Sequence, residues 1–287
     1  MKNKLSELKR DFCFSYITDT RLADSGKTVA EEITCLDRDF GFECIVHGGN
    51  VLNGNNPQRI SMELFGWEME RFSSSVKSGK ILPVQGEKDG WRDECFTGQL
   101  ALNIMTDDVW YENTKFVNAS RPDNKPYYYV DFEDKKVRIV VVCSYFYQYD
   151  KAEELFEKFK GFEAAQLSWM KNDALCLPEG YTVIIFSHTI PKTRFETGKD
   201  PFIYNTWSTE QNLMILQRAK RLNGVDIAGW IAGGYDNEDF ANVGGINYIT
   251  TGSACGENGC WCAISLDKDA RKLNLISSNN TVTTVEY

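Results

Sequence analysis

The sequence predicts an α/β protein with a mainly parallel sheet at its core, and three observations carry that expectation. Five short apolar runs each end in glycine or small polar residues. Stretches with helical spacing lie between several of them. The 287 residues hold no long Pro-, Gly- or Ser-rich linker, so one domain over 1–287 is expected.

The first run, Phe12–Ile17, leads into Thr18-Asp19-Thr20-Arg21, and the second, Cys44–His47, into Gly48-Gly49-Asn50. Ile81–Gln85 precedes Gly86-Glu87-Lys88-Asp89-Gly90, Tyr181–Phe186 precedes Ser187-His188, and Val225–Ala232 precedes Gly233-Gly234-Tyr235-Asp236. Runs of this length, rich in Val, Ile and aromatics, read as strands buried on both faces. Val29–Phe40 places Val29, Ile33, Leu36 and Phe40 on one helix face, and Ile60–Phe72, Lys151–Phe159, Phe162–Leu175 and Thr209–Leu222 read the same way. Strands alternating with helices give βαβ units, in which the loops after the strand carboxyl ends converge on one crevice. The polar tips are therefore expected to meet.

Tyr127–Phe132 and Val137–Ser144 read as a strand pair around Glu133-Asp134-Lys135-Lys136. From Gly244 onward, alternating polar and apolar residues suggest antiparallel strands ending at Thr281–Tyr287. The stretch 90–126 has no clear periodicity and reads as an ordered insertion over the crevice.

Composition narrows the classes. A net charge of −9 and a pI near 5.0 argue against nucleic acid or an anionic membrane as partner. Hydrophobic residues at 42% allow a sizeable core, yet no run reaches the roughly 20 apolar residues of a membrane helix. Met1–Arg10 lacks the apolar core of a secretory signal, and the nine cysteines read as reduced thiols, so a cytoplasmic address is expected.

In order and rough spacing, the five tips resemble the motifs of the calcineurin-like metallophosphoesterase family: Asp-x-His, Gly-Asp, Gly-Asn-His-Asp, a lone His, and Gly-His-x-His. Gln166-Leu167-Ser168-Trp169-Met170 and the Gly245–Ile249 stretch are also similar to family segments. The resemblance implies a four-layer αββα sandwich of two mixed sheets. It also implies a crevice where two metal ions would clamp a phosphoryl group and activate water.

Carried over residue by residue, the resemblance implies a dismantled metal centre. Asp19 keeps the first Asp, but Arg21 stands where the next His would be. Asn50 replaces the Asp that would bridge the two metals. Glu87 and Lys88 replace the Asn and His of the third motif, while Asp89 is kept. His188 matches the lone His, and Gly234 and Asp236 replace the last two His ligands. A guanidinium cannot ligate a metal, and Asn50 lacks the charge that would hold two cations together.

The resemblance therefore implies a pseudoenzyme: a binding or structural component with no cofactor, whose partner is an unknown protein or a small anionic ligand. One alternative is a phosphoric ester hydrolase using a single manganese, zinc or magnesium ion on Asp19, Glu87, His188 and Asp236. Another is a metal-free anion-binding module using Arg21 and Lys88. The plainer expectation for those two cations is ion pairing, Arg21 with Asp19 and Lys88 with Glu87 or Asp236.

Several features read as packing. His47 lies inside a strand run, and His188 reads equally as a strand-end residue shaping the loop before Pro191 or as a functional one. Cys255, Cys260 and Cys262 have no fourth zinc ligand nearby, and Cys260 and Cys262 share one face of a strand. Tyr127-Tyr128-Tyr129 and Tyr145-Phe146-Tyr147 suit core and rim. Trp91, Trp110 and Trp207 are expected in loops near the crevice.

Overall fold

Strand runs without alternation need cover on both faces, and the computed structural model supplies it. It describes residues 1–54, 56–89, 106–150, 155–191, 206–234, 238–255 and 260–287. The order is α1 (Lys2–Ser6), β1 (Phe12–Ile17), α2 (Ser25–Phe40), β2 (Ile45–His47), α3 (Gln58–Ser73), β3 (Ile81–Pro83) and α4 (Asp107–Asn113). Then come β4 (Tyr128–Phe132), β5 (Val137–Val141), β6 (Tyr145–Asp150), β7 (Leu155–Lys160), α5 (Ala164–Trp169) and a π-helical turn (Met170–Ala174). The chain closes with β8 (Thr182–Ser187), α6 (Thr206–Leu222), β9 (Asp226–Ala232), β10 (Asp239–Val243), β11 (Ile246–Thr250), β12 (Trp261–Asp267), β13 (Lys272–Ser277) and β14 (Val282–Glu286).

Among the described residues these strands form two mixed sheets of six, ordered β14-β13-β12-β1-β2-β3 and β10-β11-β9-β8-β5-β4. In the first, β1, β2 and β3 run parallel and β12 joins β1 antiparallel. In the second, β5, β8, β9 and β11 run parallel. Alternation along β1 explains the layers. Phe12, Phe14 and Tyr16 face the core shared with Ile139, Ile184, Phe186 and Ile231 of the second sheet. Cys13 and Ile17 face outward onto Val29 and Ile33 of α2 and Phe65, Met69 and Phe72 of α3. The second sheet packs its other face on Leu167, Trp169, Leu216 and Ala219 of α5 and α6. The result is the αββα sandwich.

Local rules set the helix ends. α2 stops at Gly41, whose φ of 65° suits glycine, while its N–H bonds the Asp37 carbonyl at 2.9 Å. The buried Asp37 carboxylate then accepts the N–H groups of Phe42 and Lys77, tying α2 to the end of α3.

Four expectations need correction. Lys151–Phe159 is not a helix: Leu155–Lys160 is strand β7, paired antiparallel with β6. Residues 155, 156 and 159 fit helical spacing, but the aromatic-rich partner 145–150 decides for a hairpin. The helix expected over Phe162–Leu175 is α-helical only to Trp169. There the buried Arg138 draws the Ala174 carbonyl to its guanidinium at 3.1 Å and the last turn widens. β11 lies parallel to β9, so the C-terminal third is not wholly antiparallel. In the stretch read as insertion, residues 106–126 contain α4. Its Trp110 is fully buried against Phe65, 5.0 Å between rings, and so lines no crevice. Trp91 and residues 90–105 lie outside the described residues, as does the Trp207 side chain.

The inter-sheet layer should dominate stability. Phe186 packs its ring on Tyr16 and edge-on to Phe14, at 5.5 and 5.8 Å. Phe186→Ala should cost about 3–5 kcal/mol in denaturant unfolding. A loss under about 1 kcal/mol would contradict a packed sheet–sheet core.

Candidate functional site: the crevice at the strand ends

Backbone geometry brings the tips together before any side chain acts. Asp19 donates its N–H to Gly49 O at 2.9 Å and Arg21 donates to Asn50 O at 3.0 Å, so the loops after β1 and β2 are laced. Asp19, Arg21, Leu22 and Asn50 all have positive φ, between 48° and 60°, a conformation that non-glycine residues rarely adopt. Gly86 allows the next loop to close in, because a Cβ there would lie 2.1 Å from Asn50 N. Gly49, at φ 98°, likewise leaves room for His188.

Asp19 sits at the centre, 1% exposed. Its Oδ1 accepts from Asn50 Nδ2 at 2.8 Å and Arg21 Nη2 at 2.9 Å. Its Oδ2 accepts from the Thr18 hydroxyl at 2.9 Å and Gly234 N–H at 3.2 Å. Burial alone would raise its pKa. Nearby His188, the bonds from Asn50 and Arg21, and the Arg21 charge outweigh burial and hold the carboxyl below its ordinary value.

Asn50 links three tips. Its Oδ1 accepts the Lys88 N–H at 2.7 Å, which fixes the amide and turns Nδ2 toward Asp19. Asp89 is buried beneath them, each oxygen accepting a backbone N–H, from Leu52 at 2.8 Å and Gly86 at 2.9 Å. Burial pushes its carboxyl up to about 6 against those bonds. His188 is buried at the end of β8, where Nδ1–H donates to Gly48 O at 2.7 Å.

Asp19, Arg21, Asn50, Glu87, Lys88, Asp89, His188 and Gly234 thus gather around one edge, on the tips after β1, β2, β3, β8 and β9. Asp236 lies outside the described residues. Arg21 pairs with Asp19 as its charge suggests. Lys160 Nζ, at the end of β7, lies 3.9 Å from Glu87. Among the described residues, no group of three or more His, Cys, Asp or Glu is arranged to hold a metal ion.

Three contributors had no signal in sequence. Thr18 caps Asp19. Tyr145, buried on β6, hydrogen-bonds Thr189 and lies 6.0 Å ring to ring from His188. Lys160 lies one residue beyond Lys151–Phe159, the stretch read as helix. His47 is the core residue expected: Gly49 N–H donates to Nδ1 at 3.2 Å, so Nε2–H donates to Thr20 Oγ1 at 3.1 Å. Burial, the largest influence, lowers its pKa to about 3.

That depression has a pH signature. Below about pH 6.5 the unfolded chain protonates His47 while the folded chain does not, so acid costs the parent stability. His47→Asn removes this term and leaves those of Asp19 and Asp89. The stability gap between parent and variant should narrow by about 1.4 kcal/mol per pH unit from pH 6.5 toward 3. Urea unfolding across that range measures it, and a constant gap would refute a neutral buried imidazole.

No family model matches this sequence, and no curated protein matches it. Solved structures do. A dimetal phosphatase from Danio rerio superposes with a TM-score of 0.67 at 14% identity, covering 97% of this chain and 100% of that one. GAP50, the anchor in the inner membrane complex of Plasmodium, matches at 0.54 and 12%, covering 96% and 88%. The protein TT1561 of Thermus thermophilus matches at 0.51 and 12%, covering 96% and 98%. At these identities the likeness speaks for architecture alone, and it agrees with the two mixed sheets. The chain carries the calcineurin-like metallophosphoesterase fold.

Proposed function

We propose that this chain is a pseudoenzyme of the cytoplasm, using a phosphoesterase frame for binding or structure rather than two-metal hydrolysis. The observation that carries this reading is the 2.8 Å bond from the Asn50 amide to Asp19. A bridging anion between two cations needs lone pairs at that point, and Asn50 presents N–H instead. Asp19 already takes four donors among the described residues, and the Arg21 guanidinium occupies the direction a cation would need. Gly234 offers a backbone N–H where an imidazole would ligate. This donor set does not fit a metal pair.

A second reading has its own support. Arg21 leaves 38% of its side chain exposed while holding Asp19. An anion such as a phosphorylated or carboxylated ligand, bound by Arg21 and Lys88, would then be the partner recognised at this crevice. Nucleic acid is disfavoured by the net charge of −9.

The direct test is metal analysis of the purified chain beside phosphomonoesterase and phosphodiesterase assays with added manganese. The expected result is no stoichiometric pair of ions and no turnover. Two manganese, iron or zinc ions per chain, or turnover, would overturn the proposal. Asn50→Asp probes the same point through stability. It sets two carboxylates about 3 Å apart, so one acquires a raised folded pKa and the cost is present at neutral pH and relieved as pH falls. A loss of about 3 kcal/mol at pH 7 that shrinks toward pH 5 is expected. A variant as stable as the parent at pH 7 would mean a cation already balances that position.

A further inference from the structure

The core between the sheets does not fill to the end that carries the strand tips. Alternation puts Leu266, Ile264 and Cys262 of β12 on the inner face of the first sheet. Beside them run Leu273, Leu275 and Ser277 of β13, then Val285 and Thr283 of β14, with Ser277 opposite Cys262 and Thr283 opposite Leu275. On the second sheet, Ile249 of β11 leads to Thr251 just past the strand, and Phe240 of β10 pairs with Ile249. The rows of β11 to β14 thus end in a side chain smaller or more polar than the one before it, and the last layer has no branched aliphatics to meet across the gap. What remains is a cavity of about 280 Å³ between the edge strands β10 and β14. None of the crevice residues lines it.

The two ends of this cavity differ in chemistry. Ile249, Cys262 and Leu275 make its inner end, buried and apolar. Half-buried Glu238 and exposed Asp239 and Phe240 stand at its mouth, with the hydroxyls of Thr281 and Thr283 opposite. Glu238 Oε1 accepts the Cys260 thiol at 3.4 Å and Asp239 Oδ1 accepts the Phe240 N–H at 2.7 Å, so each carboxylate is steadied through one oxygen. No Lys, Arg or His is among the described residues that line the cavity. A phosphorylated or carboxylated ligand would meet like charge here, and the volume falls just short of pockets that enclose drug-sized molecules.

We propose that this cavity binds a small primary amine, its short apolar body at the inner end and its ammonium between Glu238 and Asp239. An ammonium carries three donors and no acceptor, and the mouth offers carboxylate and hydroxyl oxygens. Hydrogen bonds from a cation to a carboxylate are stronger than those from a neutral donor, so charge sets the preference. The Phe240 ring adds a face on which a cation is favoured. The apolar stem gains by leaving water at Ile249, Cys262 and Leu275. A bare metal ion would leave that end without a partner. The site stands apart from the crevice, so its failure would leave the pseudoenzyme reading untouched.

The test titrates benzylamine, benzyl alcohol and benzoate separately into the folded, isotope-labelled chain and follows backbone amide shifts. Benzylamine should bind saturably, with a dissociation constant of about 1 mM or tighter. The amides of Thr251, Ser277 and Thr283 should move, and those of Arg21 and Lys88 should stay. Benzyl alcohol has nearly the same shape without the charge and should bind roughly tenfold more weakly, and benzoate not at all. Glu238→Gln should weaken the amine and spare the alcohol. Thr283→Trp, at a half-buried edge position, should fill the cavity and abolish binding, and the three-ligand comparison in the parent decides the question even where this variant folds poorly. Alcohol or benzoate binding as tightly as the amine, shifts confined to the Arg21 and Lys88 loops, or no saturation by about 10 mM would overturn the proposal.

Discussion

A single buried negative charge organises this end of the molecule. Asp19 is almost wholly removed from water, and an isolated carboxylate there would cost several kcal/mol. The fold meets that cost with donors from three separate loops: Thr18 and Arg21 beside it, Asn50 after β2, and the Gly234 N–H after β9. Each donor is held in place because its loop is held, and each loop is held partly by the donor. The left-handed backbone at Asp19, Arg21, Leu22 and Asn50 persists because these bonds over-determine it.

The other charges around the crevice follow the same logic of local satisfaction. Asp89 spends both oxygens on backbone amides, which pins the loop after β3 to the loop after β2. Glu87 faces Lys160 across the rim. Asn50 is the hinge of the arrangement because an amide both donates and accepts. It satisfies a carboxylate on one side and a peptide N–H on the other, which no carboxylate could do.

Much of this was legible in the sequence, for a physical reason. A strand covered on both faces must be apolar throughout, and its carboxyl end must turn at a small polar residue, so the five tips announced themselves in order. Arg21 was readable as the partner of Asp19 because buried charge demands a counter-charge near it in the chain. What stayed hidden depended on partners distant in sequence. Leu155–Lys160 has spacing compatible with a helix, and only pairing with Tyr145–Asp150 makes it a strand. Lys160 as the neighbour of Glu87 follows from that hairpin and could not be read without it. Trp110 was misplaced because a short helix in an aperiodic stretch has too few residues to show which face is buried.

Among the described residues, the hairpin of β6 and β7 pairs with neither six-stranded sheet. It meets the crevice at its base, through Tyr145 on Thr189 and Lys160 near Glu87. A two-stranded ladder has little cooperative support of its own, and such units open at free energies well below that of global unfolding. The crevice therefore has a floor and a rim on different clocks. Amides of the Asp19 loop should exchange with solvent only when the sandwich unfolds, while those of the hairpin exchange through local opening. Anything that enters the crevice meets a fixed base under a wall that breathes.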